Sequence, residues 1–420
     1  MGAELLGQDW DVRVNAYQPI GEKNKSVDAL NTATLTGSSF TVTQGEEVAM
    51  QGFDGEVGYR LPVFDVDSGT NLRAYAGGYH FSSDTNGVDD VQGPRLRLDL
   101  TFDELPFAWK GSRFSVGAEW QKDDPRGSQG FVSARLRIPF SAFTGDKNPS
   151  KTLTTQERRM MDPIVRDIDV VTQAGAYGRS ETATETTDGQ TITIVNSAGI
   201  ADTAALNTAL TNAGANTVIV TDRIDTTALV IVPAGQTLIG SGAVGVRTPS
   251  GMNATAKKKK SALAATDTSL SYMMNIGNNT HIKGMNLSNS NSDGTGTYVV
   301  NAQTMSGVVI ENSTITSFGA TGGGVGVDVR NTTNAIVRNN TITASSNNAG
   351  AVGMLINGAS NATIADNNFS LSTSGPKTVI SGNGTTSIHA GSTGNTTDGG
   401  ICSFTVAPTG SIGFSTITCP

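Results

Sequence analysis

The first third of the chain contains segments of about ten residues in which apolar and polar side chains alternate. Side chains of a β-strand point to opposite faces in turn, so each segment predicts a strand with one apolar and one polar face. In Arg95–Phe102 the leucines alternate with Arg95, Arg97 and Asp99. Six segments predict strands in this way: Trp10–Gln18, Phe53–Val63, Leu72–Phe81, Arg95–Phe102, Arg113–Trp120 and Gly130–Phe140.

The apolar faces of these segments predict contact with lipid. Their length suits the tilted strands of a membrane barrel, which need about 9–11 residues. Their polar faces combine arginine with aspartate or glutamate, as in a polar lumen, and aromatic residues mark the strand ends. A soluble β-sandwich would alternate as well. We therefore expect residues 1–150 to form part of an antiparallel outer-membrane β-barrel, with these side chains facing lipid: Leu96, Leu98, Leu100, Leu136, Ile138 and Phe140.

The alternation stops after Phe143, and residues 151–190 are predicted to leave the barrel as a linker or lumen-threading segment. Thr154 or Thr155 is suited to cap a short helix, which Pro163 would end because proline lacks the N–H donor. A plain charged linker is the alternative. The polar stretch Ser180–Thr191 has low complexity and predicts flexibility.

Residues 191–390 repeat with a step of 27 or 28 residues. One coil of such a repeat cannot bury its own apolar residues, whereas stacked coils can. The repeat therefore predicts a right-handed parallel β-helix, with residues 391–420 as a C-terminal cap or tail. Two apolar columns are expected to fill its core: Ile282, Ile310, Val337 and Ile364, and Leu287, Ile315, Ile342 and Phe369. The predicted fold class is all-β, a partial antiparallel barrel followed by this β-helix.

Composition and charge exclude some functions. Only 16% of the 420 residues are charged and the net charge is -8, which does not suit an electrostatic nucleic-acid partner. No run of 18 apolar residues predicts a transmembrane helix. The opening MGAELLGQDW lacks the basic and apolar regions of a signal peptide. We therefore expect that an exported form begins before Met1.

Several segments together resemble the β-domain of inverse autotransporters, the intimin and invasin family of outer-membrane proteins, over residues 5–171. They are DWDVRVNAYQPIG, AMQGFDGEVGYRLPVF, LRAYAGGYHF and GPRLRLDLTF, then RIPF and ERRMMDPIVRDIDVV. The resemblance implies type V secretion, in which a twelve-stranded barrel anchors and exports a C-terminal passenger. Since six or seven strands are counted here, it also implies further strands before Met1 or a partner that closes the barrel.

The same resemblance implies that the charged segment after Thr155 passes through the barrel lumen. Five of its side chains would then pair with lumen charges: Arg158, Arg159, Arg166, Asp167 and Asp169. The repeat in residues 191–390 is similar to the pectate-lyase-like superfamily. Enzymes on that fold cluster carboxylates with an arginine or lysine, to hold calcium or to hydrolyse a glycosidic bond.

No such cluster is predicted here. Asp328 is expected to face outward with Asn301 one repeat away, and Asp366 to lie in a turn beside Asn339. His281 is expected at the surface, and no histidine has companions at zinc spacing. We therefore expect no catalytic, cofactor or metal site.

The two cysteines, Cys402 and Cys419, lie 17 residues apart in the tail. In an exported chain they predict a disulfide that staples the terminal cap, whereas a cytosolic chain would keep free thiols. The run Lys257–Lys260 suits contact with lipopolysaccharide phosphate or an anionic glycan, with a solvated loop as the alternative.

These patterns together predict a bacterial surface protein. The barrel would lie in outer-membrane lipid, and the β-helical passenger would bind a host-cell, bacterial-surface or glycan ligand in adhesion. The alternative is a secreted or surface polysaccharide-processing enzyme.

Overall fold

The structure is a computed structural model, which describes residues 1–66, 68–103, 105, 111–138, 154–162 and 170–419. Phe140, Arg166, Asp167 and Asp169 lie outside the described residues. The all-β fold class predicted from the sequence is confirmed, with an antiparallel sheet near the N-terminus and a parallel β-helix after it.

The chain begins with eleven strands and a short 3-10 helix at Asp28–Leu30. In chain order the strands are β1 (Gly2–Leu6), β2 (Trp10–Tyr17), β3 (Asn24–Ser26), β4 (Thr32–Thr36), β5 (Ser39–Thr43), β6 (Glu46–Ala49), β7 (Gln51–Leu61), β8 (Thr70–Ser82), β9 (Val91–Asp103), β10 (Arg113–Asp123) and β11 (Gly127–Arg137).

Helix α1 (Thr155–Met160) and short strands follow, and then helix α2 (Thr203–Ala213). The strands before α2 are β12 (Thr172–Gly175), β13 (Ser180–Thr182), β14 (Glu185–Thr186) and β15 (Ile192–Val195). After α2 come β16 (Thr217–Val220), β17 (Arg223–Thr226), β18 (Val230–Val232), β19 (Thr237–Ile239), β20 (Gly242–Arg247), β21 (Asn253–Lys258), β22 (Ser261–Ala265), β23 (Tyr272–Ile276), β24 (His281–Lys283), β25 (Met285–Asn291) and β26 (Thr297–Asn301).

The remaining strands complete the β-helix. They are β27 (Val309–Glu311), β28 (Thr314–Gly319), β29 (Gly324–Asp328), β30 (Ile336–Arg338), β31 (Thr341–Ser346), β32 (Ala351–Leu355), β33 (Thr363–Ala365), β34 (Asn368–Thr373), β35 (Lys377–Gly382), β36 (Thr396–Thr397) and β37 (Ile401–Phe404).

The chain divides into two compact units. The first comprises residues 1–30 and 44–179, and the second comprises residues 31–43 and 180–420. The first unit is built on a seven-stranded antiparallel sheet in the order β1-β2-β7-β8-β9-β10-β11. Because consecutive long strands are joined by short connections, this sheet is a meander apart from the longer excursion between β2 and β7. A second, small sheet has the order β12-β6-β3.

The strands of this unit follow the predicted segments with shifted ends. The last of them was predicted at Gly130–Phe140, but the strand spans Gly127–Arg137 and pairs with β10 over its whole length. Gly127 has a φ of 74° and completes the tight turn after β10, a conformation that glycine adopts without steric cost. The hairpin therefore closes three residues earlier than the alternation suggested.

The second unit is a β-solenoid of about eight turns, whose strands form three stacked parallel sheets of seven strands each. Two of these sheets continue beyond residue 390 through β36 and β37, so the stack is longer than the predicted range of 191–390. The stretch Ser180–Thr191 was expected to be flexible. That expectation is wrong in part, because β13 and β14 within it pair with β5 and β20.

Both predicted apolar columns lie inside the β-helix. Each column is aligned by parallel pairing: Ile282 stands beside Ile310, and Ile315 beside Ile342. The eight side chains are at most 1% exposed: Ile282, Ile310, Val337, Ile364, Leu287, Ile315, Ile342 and Phe369. Burial of such side chains contributes about 1.5–3 kcal/mol each relative to leaving them in water.

The turns between coils use the left-handed conformation at equivalent positions. Asn312, Asn339 and Asp366 have φ angles of 54°, 56° and 55°, and Gly284 occupies the same place in the preceding coil with 65°. Asparagine, aspartate and glycine are the residues that adopt this conformation most readily. The repeated turn therefore follows directly from the repeated residue type.

Both ends of the β-helix core are covered. Leu206 and Leu210 of α2 are fully buried and join the core, and Asp202 caps the helix by accepting a hydrogen bond from the Ala205 N–H at 2.8 Å. At the other end Cys402 and Cys419 form a disulfide, with Cα atoms 5.4 Å apart.

Within the described part of the chain, no helix is long and apolar enough to cross a membrane.

Candidate functional site: the charged face of the antiparallel sheet

The seven-stranded sheet of the first unit exposes its apolar face and buries its charged face. On β9, Leu96 and Leu98 are 50% and 48% exposed, whereas Arg97 between them is 8% exposed. The neighbouring strands repeat this inversion, because Val12 and Val14 of β2 are exposed and Asp11, Arg13 and Asn15 are buried. The alternation in the sequence therefore produces a sheet that buries charge and exposes hydrocarbon.

The predicted lipid-facing set divides by exposure. Leu96, Leu98 and Leu136 are exposed, with Leu136 at 56%. Leu100 and Ile138 are partly exposed. Single exposed leucines are normal on proteins in water, but a whole sheet face of them is not.

Asp11 is the centre of the ion pairs on the buried face. Its side chain is fully buried and accepts hydrogen bonds from Arg73 Nη1 at 3.0 Å and from Arg159 Nη2 at 2.6 Å. The Tyr75 hydroxyl also donates to it, at 3.1 Å. A carboxylate in this position balances two guanidinium groups, because a buried charge without a partner costs several kcal/mol.

A second carboxylate, Glu56, joins two further arginines of this face. Arg13 Nη1 lies 2.9 Å from Glu56 Oε1, and Arg97 also binds Glu56 while stacking on the Tyr75 ring at 3.9 Å. Strands β2, β7, β8 and β9 each contribute one partner, since these side chains point to the same face of the sheet. The network therefore ties four strands together through their polar side.

Helix α1 covers part of this face. Thr154 caps it and Glu157 completes a capping box, so Thr154 is the cap of the two predicted candidates. Arg159 reaches Asp11 and also donates to the Gly7 carbonyl at 2.7 Å. Just after the helix, Asp162 accepts from Arg113 at 2.7 Å and lies 3.1 Å from Arg137.

Two of the five charged residues predicted to pair with lumen charges, Arg158 and Arg159, lie among the described residues. Arg159 is buried among the charges of the sheet, while the Arg158 carbonyl accepts from Arg113 at 3.4 Å. A cavity of about 250 Å³ lies beside the helix, and arginines dominate its lining. The lining arginines are Arg13, Arg73, Arg97, Arg113, Arg135, Arg137 and Arg159.

The anchoring carboxylates Asp11 and Glu56 were not singled out as site residues from the sequence. Both stand at alternate positions between apolar residues, Asp11 between Trp10 and Val12 and Glu56 before Val57. An acid on the polar face of an alternating strand, matched by arginines on the polar faces of its neighbours, is the signal that could have identified them.

On the β-helix, Asp328 lies between the core residues Val327 and Val329 and is not itself part of the core, yet it is not exposed. Its side chain is fully buried, because Arg330 folds back over it with Nη2 to Oδ2 at 2.6 Å and Gln303 donates to the same oxygen at 2.7 Å. The ion pair raises the pKa of Arg330 above its usual value. Both carboxylate oxygens of Asp328 therefore accept hydrogen bonds from neighbouring side chains.

Glu311 forms the second charge cluster of the β-helix. It accepts from Arg338 Nε at 2.8 Å and lies 3.0 Å from His281 Nε2. Burial favours the neutral acid, but hydrogen bonds and charge from Arg338 and His281 outweigh it, so the pKa of Glu311 lies below its usual value. His281 is partly exposed, as expected, and serves as a partner to this carboxylate.

The basic run lies at the end of β21. Lys258 Nζ donates to the Gly240 carbonyl at 2.8 Å, and Lys260 contacts Thr314. Burial lowers the pKa of Lys258 to about 8, against a smaller opposing effect of Asp222. Lys258 is therefore held against the coil, and it is not part of a solvated loop.

Among the residues that the structure describes, no group of three or more His, Cys, Asp and Glu side chains could hold a metal ion. No protein-family model, no curated protein and no solved structure matches the chain. The resemblance to inverse autotransporters therefore stays a prediction from the segments quoted above.

Proposed function

We propose that the protein is an outer-membrane-anchored bacterial surface protein. In this proposal the seven-stranded sheet is part of a barrel wall in lipid, and the β-helix is a passenger displayed outside the cell. The observation that supports it is the inverted sheet, which exposes Leu96 and Leu98 while it buries Arg97. A sheet in water would expose its charged face and bury its apolar face.

The position of helix α1 supports the same proposal. A chain that passes out through a barrel must meet the polar face of the wall. Arg159 binds Asp11 on the charged face of the sheet, which in this proposal is the lumen face. The capping box at Thr154 starts the helix on its own, independently of those contacts. In this proposal α1 is the segment that holds the passenger to its anchor.

The outer surface of the β-helix supports a role in binding. Its outward side chains form regular ladders, since each residue stands beside its equivalent about 4.8 Å away in the next coil. On two neighbouring strands Thr314 and Thr316 stand beside Thr341 and Thr343. Such an extended polar surface suits contact with a host-cell, bacterial-surface or glycan ligand. We propose adhesion, with no catalytic step.

Protease shaving of intact cells tests this function. The protein is expressed from its full gene in a Gram-negative host, and trypsin is added to the medium. We expect trypsin to separate residues 180–420 from the first unit on a denaturing gel, because the barrel would expose the β-helix outside. A periplasmic protein that stays intact is the control. If the β-helix is cut only after the outer membrane is permeabilised, the proposed function is wrong.

A further inference from the structure

A hairpin from the early part of the chain belongs to the β-helix unit. Strands β4 and β5 pair with each other, and β5 pairs with β13 at the entrance of the β-helix. The hydroxyls of Thr43 and Ser180 lie 2.9 Å apart, although 137 residues separate them in the chain. Asn31 also donates to the Asn253 carbonyl at 2.9 Å.

The hairpin buries its apolar side chains against the first coils. Phe40 and Val42 are 1% and 0% exposed, whereas Leu35 on the same hairpin is 37% exposed. Phe40 and Val42 belong to an apolar cluster separate from the interior core of the β-helix. Its other buried members are Ala183, Ile219, Ile239, Val244, Val246, Met252, Ala254 and Ala256.

The first coils carry apolar side chains on their outer surface, where the hairpin packs. One outward column of the β-helix runs in register through Ile194, Ile219 and Ile239, and then continues as Lys283, Glu311 and Arg338. The column is apolar where the cluster lies and charged beyond it. Ile219 and Ile239 are 0% and 7% exposed. Without the apolar cluster that contains Phe40 and Val42, these two side chains would be exposed to water.

We infer that the hairpin Thr32–Thr43 is an intramolecular template on which the β-helix begins to fold. A solenoid gains stability from contacts between neighbouring coils, so its first coil has the least support. The hairpin closes through a short turn at Gly37, with φ 62°, and such hairpins form within microseconds. It then offers β5 as a partner for β13 and an apolar surface for Ile219. This role does not depend on the proposed membrane anchor.

Refolding of the full-length protein in detergent, followed by pulsed hydrogen exchange and mass spectrometry, tests this inference. The reporting peptides are those of β27 and β28, which lie several coils from the hairpin. We expect Phe40→Ala to slow their refolding about 100-fold and Val42→Ala about tenfold, with less than about a threefold change in unfolding rate. A large change in the folding rate with a small change in the unfolding rate is expected if the hairpin contacts already exist in the transition state for folding.

Leu35→Ala is the matched control, since it removes an apolar side chain of the same hairpin that is substantially exposed. We expect it to change neither rate by more than about twofold. Normal refolding with faster unfolding in the Val42→Ala variant would show that the hairpin docks after the β-helix has formed, and would overturn the inference. If the Phe40→Ala variant does not refold, the refolding and unfolding rates of the Val42→Ala variant decide whether the inference holds.

Discussion

Replacing Ile342 by aspartate is expected to unfold the coils on both sides of it. Ile342 is fully buried and stands between Ile315 and Phe369 in the stacked core. The change removes a core side chain and introduces a carboxylate that has no partner inside the β-helix. We expect a loss of about 5 kcal/mol or more in the free energy of unfolding, measured by hydrogen exchange of β28, β31 and β34 at increasing denaturant.

Thr341→Asp is the control for this change, because Thr341 precedes Ile342 on the same strand and is exposed. It adds the same charge to the outside and is expected to cost no more than about 0.5 kcal/mol. Equal losses for the two variants would contradict the assignment of Ile342 to the interior. Because coils stabilise their neighbours, the effect should also fade with distance from β31.

Replacing Asp11 by alanine is expected to produce the second large loss. Asp11 is the shared partner of Arg73 and Arg159, and all three side chains are at most 7% exposed. Without the carboxylate two guanidinium groups stay buried with less compensation, a change that costs about 3–5 kcal/mol for a buried pair. Denaturant unfolding in detergent, followed by the tryptophan fluorescence of the first unit, measures this loss.

Asp9→Ala is the matched control for Asp11. Asp9 binds Arg60 at 3.0 Å, but its side chain is 49% exposed. An exposed ion pair contributes about 0–1 kcal/mol, so this variant should unfold close to the wild type. A similar loss in both variants would show that burial of the Asp11 network does not contribute to stability.

The sequence allowed the repeating parts of the fold to be predicted. The step of 27 or 28 residues placed Ile282 and Ile310 in one column, because identical coils must align equivalent residues when they stack. Alternation placed Leu98 and Arg97 on opposite faces, since the side-chain period of a strand is two. Both predictions depend on local geometry that every strand shares.

Features that depend on contacts distant in the sequence could not be predicted in this way. Asp328 was assigned to the surface by alternation, but Arg330 and Gln303 cover it. The hairpin Thr32–Thr43 was not assigned to the β-helix, because nothing in its own pattern identifies β13 as its partner 137 residues later. Ion pairs between strands, such as Arg159 with Asp11, likewise require the register of the folded sheet.

The central claim is that the apolar face of the seven-stranded sheet contacts lipid. Spin labels at Leu98→Cys and Thr101→Cys test it directly, because Leu98 is exposed on the apolar face and Thr101 is buried on the polar face of the same strand. The native cysteines are joined in a disulfide and would not react. In lipid vesicles we expect the label at position 98 to be more accessible to oxygen than to a polar relaxation agent. The label at position 101 should be more accessible to the polar agent than to oxygen. If the label at position 98 is as accessible to the polar agent as a label in water, the lipid-facing assignment is wrong.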